Sequence, residues 1–114
     1  MDFKTKNKFE DRIEESNKIL KKYPSRVPII VEKCSKSLIN NIDKNKYLVP
    51  NDLNMNQFVH IIRKRVKLDK SQSIFLLVNN TICPSNTPMG NIYNDHKDGD
   101  GFLYIKYSSE NTFG

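Results

Sequence analysis

The stretch Lys21-Lys22-Tyr23-Pro24-Ser25-Arg26-Val27-Pro28-Ile29-Ile30-Val31-Glu32-Lys33 contains the end of a helix, a break and the start of a sheet. Proline disfavours the helical conformation in the residue before it, so a helix that enters this stretch must end near Tyr23. The run 27–33 is rich in β-branched residues, which favour strands. The stretch therefore predicts a helix followed directly by a strand.

The segment upstream, residues 9–22, has the period of an amphipathic helix. Phe9, Ile13, Ser16 and Leu20 recur at helical spacing and predict the stripe that faces the core, while Ile19 lies off that stripe. Acidic residues lead the segment and lysines close it, as the helix dipole favours. Residues 1–8 are basic and predict either a helical turn or a loose arm.

Downstream of the opening stretch the patterns predict further elements in a fixed order. They are a strand at 46–49 stopped by Pro50, a helix at 55–66 capped by Asp52 or Asn54, a strand within 73–79, a short helix at 89–94 opened by Thr87-Pro88, a turn at 98–101 and a last strand at 102–107. The continuous apolar run 74–78 predicts a central strand covered on both faces. In the last strand, Phe102 and Tyr104 should face one side and Leu103, Ile105 and Tyr107 the other.

This order of elements defines the fold class. Four strands with one long crossover helix between the second and the third predict an α+β domain. We expect a single domain at 1–107, with a helical extension over about residues 1–23, followed by a flexible tail at 108–114.

The charge of the chain is uneven. Residues 1–70 hold 17 Lys/Arg against 9 Asp/Glu, a net +8, whereas residues 71–114 hold 2 against 4, a net −2. The basic part should attract anions such as acidic peptides, anionic lipid or RNA, although a solvated charged face explains the same pattern.

No cluster of residues predicts catalysis, a cofactor or a metal. Cys34 and Cys83 lie in apolar stretches without a C-x-x-C spacing and predict buried thiols. His60 lies within a helical segment without a nucleophile nearby, so a packed or surface histidine is expected. No leader-like or membrane-spanning apolar run is visible, which predicts a protein made in the cytosol. The basic run 63–67 lacks interleaved aromatics, so nucleic acid is not an expected partner.

Several segments taken together carry a resemblance that spans essentially the whole chain. They are the opening stretch 21–33, Asp43-Lys44-Asn45-Lys46-Tyr47-Leu48-Val49-Pro50, the helix from Phe58 to Val66 with Ile62-Arg63-Lys64-Arg65, the strand from Phe75 to Asn80, and Phe102-Leu103-Tyr104-Ile105 with Tyr107-Ser108 and Phe113-Gly114. In these segments the chain resembles the autophagy ubiquitin-like modifiers, the family of the GABA-receptor-associated protein and the microtubule-associated light chain. Gly99 and Gly101 depart from the family pattern and should loosen a turn.

The resemblance implies a ubiquitin-like β-grasp with an additional N-terminal helical region, and a protein that is not an enzyme. It implies that Gly114 is activated by an E1-like enzyme, passed to an E2-like enzyme and joined to phosphatidylethanolamine. A cysteine protease would process or release the chain, which would then move between the cytoplasm and the membrane of autophagosomes or other vesicles. Whether residues beyond Gly114 are encoded and removed stays open.

The resemblance also implies that the edge strand 46–49 binds short peptides of the form aromatic-x-x-aliphatic, carried by cargo receptors. The implied aromatic pocket is formed by Glu15, Ile19, Pro28, Ile30, Lys46, Leu48 and Phe102. The implied aliphatic pocket is formed by Tyr47, Val49, Pro50, Leu53, Phe58 and Ile61. Arg26, Lys44 and Arg65, with Lys46, would meet acidic residues that flank the motif. The alternative for the apolar members, Phe58 and Val49 above all, is a place in the core.

Overall fold

The structure, a computed structural model, describes residues 2–35, 37, 39–68 and 71–109. Two helices come first, α1 (Phe3–Lys6) and α2 (Phe9–Lys22). Asp2 caps α1 by accepting a hydrogen bond from the Thr5 amide, and α2 ends at Tyr23, directly before Pro24. The bounds of α2 confirm the sequence prediction, and the basic segment forms a helical turn rather than a loose arm.

Four strands follow, namely β1 (Arg26–Lys33), β2 (Lys46–Pro50), β3 (Phe75–Leu77) and β4 (Leu103–Ser108). They form one sheet in the order β2-β1-β4-β3, in which β1 and β4 are parallel and the two outer pairs are antiparallel. A long helix, α3 (Met55–Val66), connects β2 to β3, and α4 (Met89–His96) precedes β4. A mixed sheet crossed by one long helix is the ubiquitin-like β-grasp expected from the resemblance.

The ends of α3 and α4 show how the sequence sets helix boundaries. Asn54, not Asp52, caps α3, and it forms a reciprocal capping box with Gln57. Proline is favoured at the first position of a helix, and the sequence predicts that place for Pro88, but Pro88 is the N-cap residue of α4. The helix continues two residues beyond the predicted end, to His96.

The core has two parts, one on each face of the sheet. The larger cluster joins alternate residues of β1 and β4, including Leu103, Ile105 and Tyr107, to the buried face of α3. The smaller cluster contains Phe3, Ile30 and Phe102, with Ile19 and Tyr104 packed against it. This alternation confirms the two faces predicted for the last strand.

The position predicted for the most apolar strand is wrong. β3 covers only Phe75–Leu77 and lies at the edge of the sheet, with β4 as its neighbour. Leu76 and Leu77 are buried, but Phe75 and Ile74 are half-exposed. The central positions are occupied by β1 and β4, which pair with each other in parallel. β3 pairs with the other side of β4 and therefore lies at the edge of the sheet.

The predicted buried stripe of α2 also needs correction. Phe9, which should have led it, is 46% exposed. The buried residues of the helix are Arg12 and Ser16, and Ile19 packs against the smaller cluster. The helix is therefore rotated so that a partly polar face meets the sheet. Cys34 and Cys83 are half-buried rather than buried. Cys83 packs against the outside of the larger core cluster, and burial raises the pKa of its thiol.

The turn at 98–101 explains this polar face. The Asp100 carboxylate is buried, lies 2.7 Å from the Arg12 guanidinium and accepts a hydrogen bond from the Phe102 amide. The Ser16 hydroxyl donates to the Asp100 carbonyl at 2.5 Å. Gly101 has a φ of +91° and lies directly against Ser16. The expectation that Gly101 loosens this turn is therefore wrong, since Gly101 allows the contact that fastens α2 to the sheet. For Gly99, which lies in open space, the expectation stays a prediction.

Candidate peptide-binding edge

The strand β2 has one open side, as the edge position predicted for it requires. Two backbone bonds continue the β1–β2 ladder at its ends, from Val31 N–H to the Asn45 carbonyl (2.8 Å) and from Asn51 N–H to the Ser25 carbonyl (3.0 Å). In an antiparallel pair such bonds recur at every second residue, so the odd-numbered residues of β2 face β1. The N–H and C=O groups of Lys46 and Leu48 consequently point to the open side.

Proline sets the limit of this open edge. Pro50 would be the next residue with an outward-facing amide, but it has no N–H group to donate. The register pairs Pro50 with Arg26, Leu48 with Pro28 and Lys46 with Ile30. The outward donors of the edge are therefore the amides of Lys46 and Leu48.

The seven residues of the implied aromatic pocket share one face of the sheet, the face that α2 covers. Their burial differs: Pro28, Ile30 and Phe102 are buried, Glu15, Ile19 and Leu48 are half-buried, and Lys46 is exposed. The buried members form a floor and the others form a rim that solvent can reach.

Phe3 was not among the predicted site residues, yet it completes this floor. Its ring lies edge-on to Phe102, with 5.3 Å between the ring centroids. The Lys46 ammonium lies 5.1 Å from the centroid of the same ring and 2.8 Å from the Glu15 carboxylate. In the sequence, the signal that could have indicated a role for Phe3 is that it is a lone phenylalanine within a basic segment. The salt bridge thus spans from β2 to α2 across the aromatic side of the edge.

The implied aliphatic pocket divides into core and surface. Phe58, Val49 and Tyr47 are 0%, 6% and 8% exposed and belong to the larger core cluster. Tyr47 packs edge-on to Phe58, and its buried hydroxyl has no hydrogen-bond partner among the described residues. Burial raises the pKa of Tyr47, against the opposing effect of the Arg65 cation.

The other three members of that set remain accessible. Leu53 and Ile61 are half-buried and Pro50 is exposed. Strand alternation puts the Pro50 side chain on the face of Leu48 rather than on the face of Tyr47. The surface that an aliphatic side chain can reach is therefore formed mainly by Leu53 and Ile61.

The three basic contact residues are all exposed and lie at both ends of β2. Arg65 pairs with Asp43 at 3.2 Å, and the Lys44 ammonium lies 5.3 Å from the centroid of the Tyr47 ring. Arg26 lies at the other end, opposite Pro50, and lines a cleft of about 380 Å³ between α2 and α4. That cleft contains no other residue of the predicted site.

Gly114, the predicted site of conjugation, lies outside the described residues. The last described residue is Ser109, which directly follows β4. β4 extends to Ser108, one residue beyond the predicted end of the strand.

Among the described residues no group of histidine, cysteine and acidic side chains could hold a metal ion.

With this geometry in place, comparison with known proteins decides the family. The family model described as "Autophagy protein Atg8 ubiquitin like" matches residues 11–114. The chain belongs to the Atg8 family. Autophagy-related protein 8e of Arabidopsis thaliana is 55% identical over 112 residues, which cover 98% of this chain and 92% of the plant protein. Autophagy-related protein 8 of Kluyveromyces lactis is 54% identical over 112 residues, with 98% and 90% covered.

The fold agrees with that assignment. The crystal structure of Trypanosoma brucei ATG8 superimposes with a TM-score of 0.91 at 45% identity, covering 100% of this chain and 98% of the other. The chain is thus an autophagy ubiquitin-like protein of the Atg8 family. In the part of the chain that the structure describes, no helix has the length and apolar character needed to cross a bilayer.

Proposed function

We propose that the protein is a modifier that is joined through Gly114 to phosphatidylethanolamine and that recruits cargo receptors by binding short peptides along β2. The observation that supports this proposal is the pair of outward-facing backbone groups at Lys46 and Leu48, which lie between two partly apolar surfaces. In this role the protein catalyses nothing and needs no cofactor. It passes between the cytoplasm and the membrane of autophagosomes or other vesicles.

The peptide would bind as an additional strand. Its backbone would pair with Lys46 and Leu48, and its alternate side chains would reach the two faces of the sheet. An aromatic side chain fits the rim of Ile19 and Leu48, above the floor that Phe3 completes. An aliphatic side chain fits Leu53 and Ile61. Acidic residues on either flank would meet Arg26 at one end or Lys44 and Arg65 at the other.

Attachment requires a carboxylate that an enzyme can enclose. Glycine suits that role because it has no side chain to block a narrow channel. An E1-like enzyme would join the Gly114 carboxylate to AMP with release of pyrophosphate, and its cysteine thiolate would then displace AMP. The resulting thioester passes to an E2-like cysteine, and the amine of the lipid displaces that thiol to form an amide. A cysteine protease would hydrolyse the amide and release the protein.

The conjugation proposal is tested with the family's E1-like and E2-like enzymes, ATP and vesicles. Vesicles that contain phosphatidylethanolamine should give a lipidated product, and vesicles of phosphatidylcholine alone should not. Gly114→Ala should abolish the product, whereas Gly99→Ala, at an open turn position, should not change it. A Gly114→Ala variant that is still lipidated would disprove the role of this residue, and attachment to proteins instead of lipid would disprove the lipid target.

The peptide proposal is tested by methylating the backbone nitrogens of an acidic aromatic-x-x-aliphatic peptide one at a time. Only every second peptide N–H points to β2, so affinity should fall about tenfold or more at alternate positions and little at the others. Leu48→Ala and Ile61→Ala should weaken binding, while Ile82→Ala, at an exposed apolar residue outside the edge, should not. Equal effects at successive nitrogens would refute strand addition, and much tighter binding to RNA would favour a nucleic-acid role.

A further inference from the structure

Phe3 is the residue of α1 that enters the smaller core cluster, and it lies where that cluster meets the peptide-binding edge. Its buried ring packs edge-on to Phe102 and is tilted against the Tyr104 ring, with 6.4 Å between the latter two centroids. The ring is also close to the edge, because the Lys46 ammonium lies 5.1 Å from its centroid and Ile19 packs against the same cluster. One phenyl ring from the start of the chain is therefore part of the bottom of the aromatic pocket.

The place of this ring depends on the contacts that hold α1 against the sheet, since a helix of four residues is too short to be stable alone. The Phe3 amide donates a hydrogen bond to the Glu32 carboxylate of β1 at 2.8 Å. The Lys4 ammonium lies 2.6 Å from the Asp98 carboxylate, but Lys4 is exposed, and exposed ion pairs contribute little. Glu32 is half-buried and accepts its bond from the backbone of Phe3 itself, so it is the contact that most directly fixes the ring.

The bottom of the aromatic pocket is closed. Phe3, Ile30 and Phe102 are all buried and pack together. A side chain that enters between Ile19 and Leu48 can therefore descend only as far as these three residues. An indole is larger than a phenyl ring, so a pocket of limited depth leaves part of the indole outside. Each further carbon-sized group that is buried contributes about fourfold in affinity, and the depth of the pocket thus controls which aromatic side chain binds best.

We propose that Phe3 sets the depth of the aromatic pocket and thereby selects the aromatic residue that a peptide can insert. Glu32 is a positioning residue for this selection, because it acts on the Phe3 backbone. The inference rests on the proposed binding of peptides along β2. It assigns to α1, which lies outside the residues predicted for the site, the discrimination between a phenyl ring and an indole.

The test measures by calorimetry the affinities of two acidic peptides that differ only in carrying tryptophan or phenylalanine at the aromatic position. In Phe3→Ala the ratio of the two affinities should shift at least about fourfold in favour of tryptophan, because an indole can occupy the space of the lost ring. Phe3→Leu refills most of that space and should shift the ratio by less than about twofold. A variant that only weakened the fold would lower both affinities alike and leave the ratio unchanged.

Variants of Glu32 test the positioning while the ring itself stays intact. Glu32→Ala removes the acceptor of the Phe3 amide and should shift the ratio in the same direction as Phe3→Ala. Glu32→Gln keeps an acceptor and should restore the original ratio. Lys6→Ala, at an exposed position of the same helix, is the matched control and should leave the ratio unchanged.

The outcomes separate this inference from the proposed function. An unchanged ratio in Phe3→Ala, or a shift in favour of phenylalanine, would overturn the role of Phe3, and equal ratios in Glu32→Ala and Glu32→Gln would overturn the role of Glu32. Leu48→Ala serves as the reference in the same assay and should weaken both peptides. If it weakened neither, the proposed binding along β2 would fail and the inference with it. If it weakened both while Phe3→Ala left the ratio fixed, only the inference would fail.

Discussion

Replacing Gly101 by alanine should destabilise the protein through two separable effects. The φ of +91° at this position is one that a residue with a Cβ atom rarely adopts, and the strain costs about 1–2 kcal/mol. The new Cβ would also lie 2.3 Å from the Ser16 hydroxyl oxygen and 2.9 Å from the Ser16 Cβ, so Ser16 must move. Moving Ser16 breaks its buried hydrogen bond to the Asp100 carbonyl, which contributes about 1 kcal/mol.

The sum, about 2–3 kcal/mol, is a large share of the roughly 5–15 kcal/mol by which small domains are stable. Urea denaturation followed by circular dichroism measures it directly, provided the denaturant slope is unchanged. Gly99→Ala is the matched control, because no atom of the described residues beyond its own chain neighbours lies within 4 Å of the added Cβ. This variant should stay within about 0.5 kcal/mol of the original protein.

A double-mutant cycle separates the two effects. In a Ser16→Ala background the hydrogen bond and the closest clash are already absent, so Gly101→Ala should cost about 1 kcal/mol less than it does with Ser16 present. If Gly101→Ala cost no more than Gly99→Ala, the close contact between α2 and the turn would not be a feature of the native protein.

Three further predictions address a helix cap, a titration and the division between core and site. Asn54→Ala should lower the unfolding free energy by about 1 kcal/mol through loss of the α3 capping box, whereas Asn56→Ala, on the exposed face of α3, should have little effect in the same denaturation assay. Burial and the hydrogen bond to Asp100 raise the pKa of Tyr104 above its ordinary 10.0, so its contribution to stability is complete below about pH 10 and is lost as the pH rises further. Tyr104→Phe should therefore flatten the alkaline fall of unfolding free energy, measured by urea denaturation at a series of pH values. Phe58→Ala should cost about 3–5 kcal/mol of stability, while Ile61→Ala should weaken peptide binding, measured by calorimetry, with a smaller loss of stability.

The sequence predicts the helices and strands of this fold better than it predicts the order of the strands in the sheet. Hydrophobic period and prolines predict the bounds of α2 and α3 because both signals act within one segment. The sheet order is different, because strands pair through backbone groups that every residue except proline carries, so the pattern of one strand does not indicate which strand lies beside it. The apolar run of β3 indicates burial, which Leu76 and Leu77 show, but burial does not distinguish an edge strand from a central one.

The same distinction applies to the candidate site. The sequence resemblance names residues around β2, and the structure brings them together along one edge, but it makes Phe58 and Val49 part of the core. The polar contacts of α2 were missed because their partners lie far apart in sequence, 88 residues in the case of Arg12 and Asp100. Ser16 in the predicted apolar stripe was the local sign that a polar partner existed.

The sheet order has a consequence for how attachment and recruitment can act together. The chain leaves the sheet after β4, which lies between β1 and β3, whereas peptides would bind at the open side of β2. Adjacent strands are about 4.8 Å apart, so β2 lies about 10 Å from β4, and β1 separates them. A bond at the C-terminus therefore need not occupy the groups of Lys46 and Leu48 that a peptide would use. On this geometry the lipidated protein should bind a peptide with the affinity of the free protein, and a large loss of affinity after lipidation would show that the membrane covers the β2 edge.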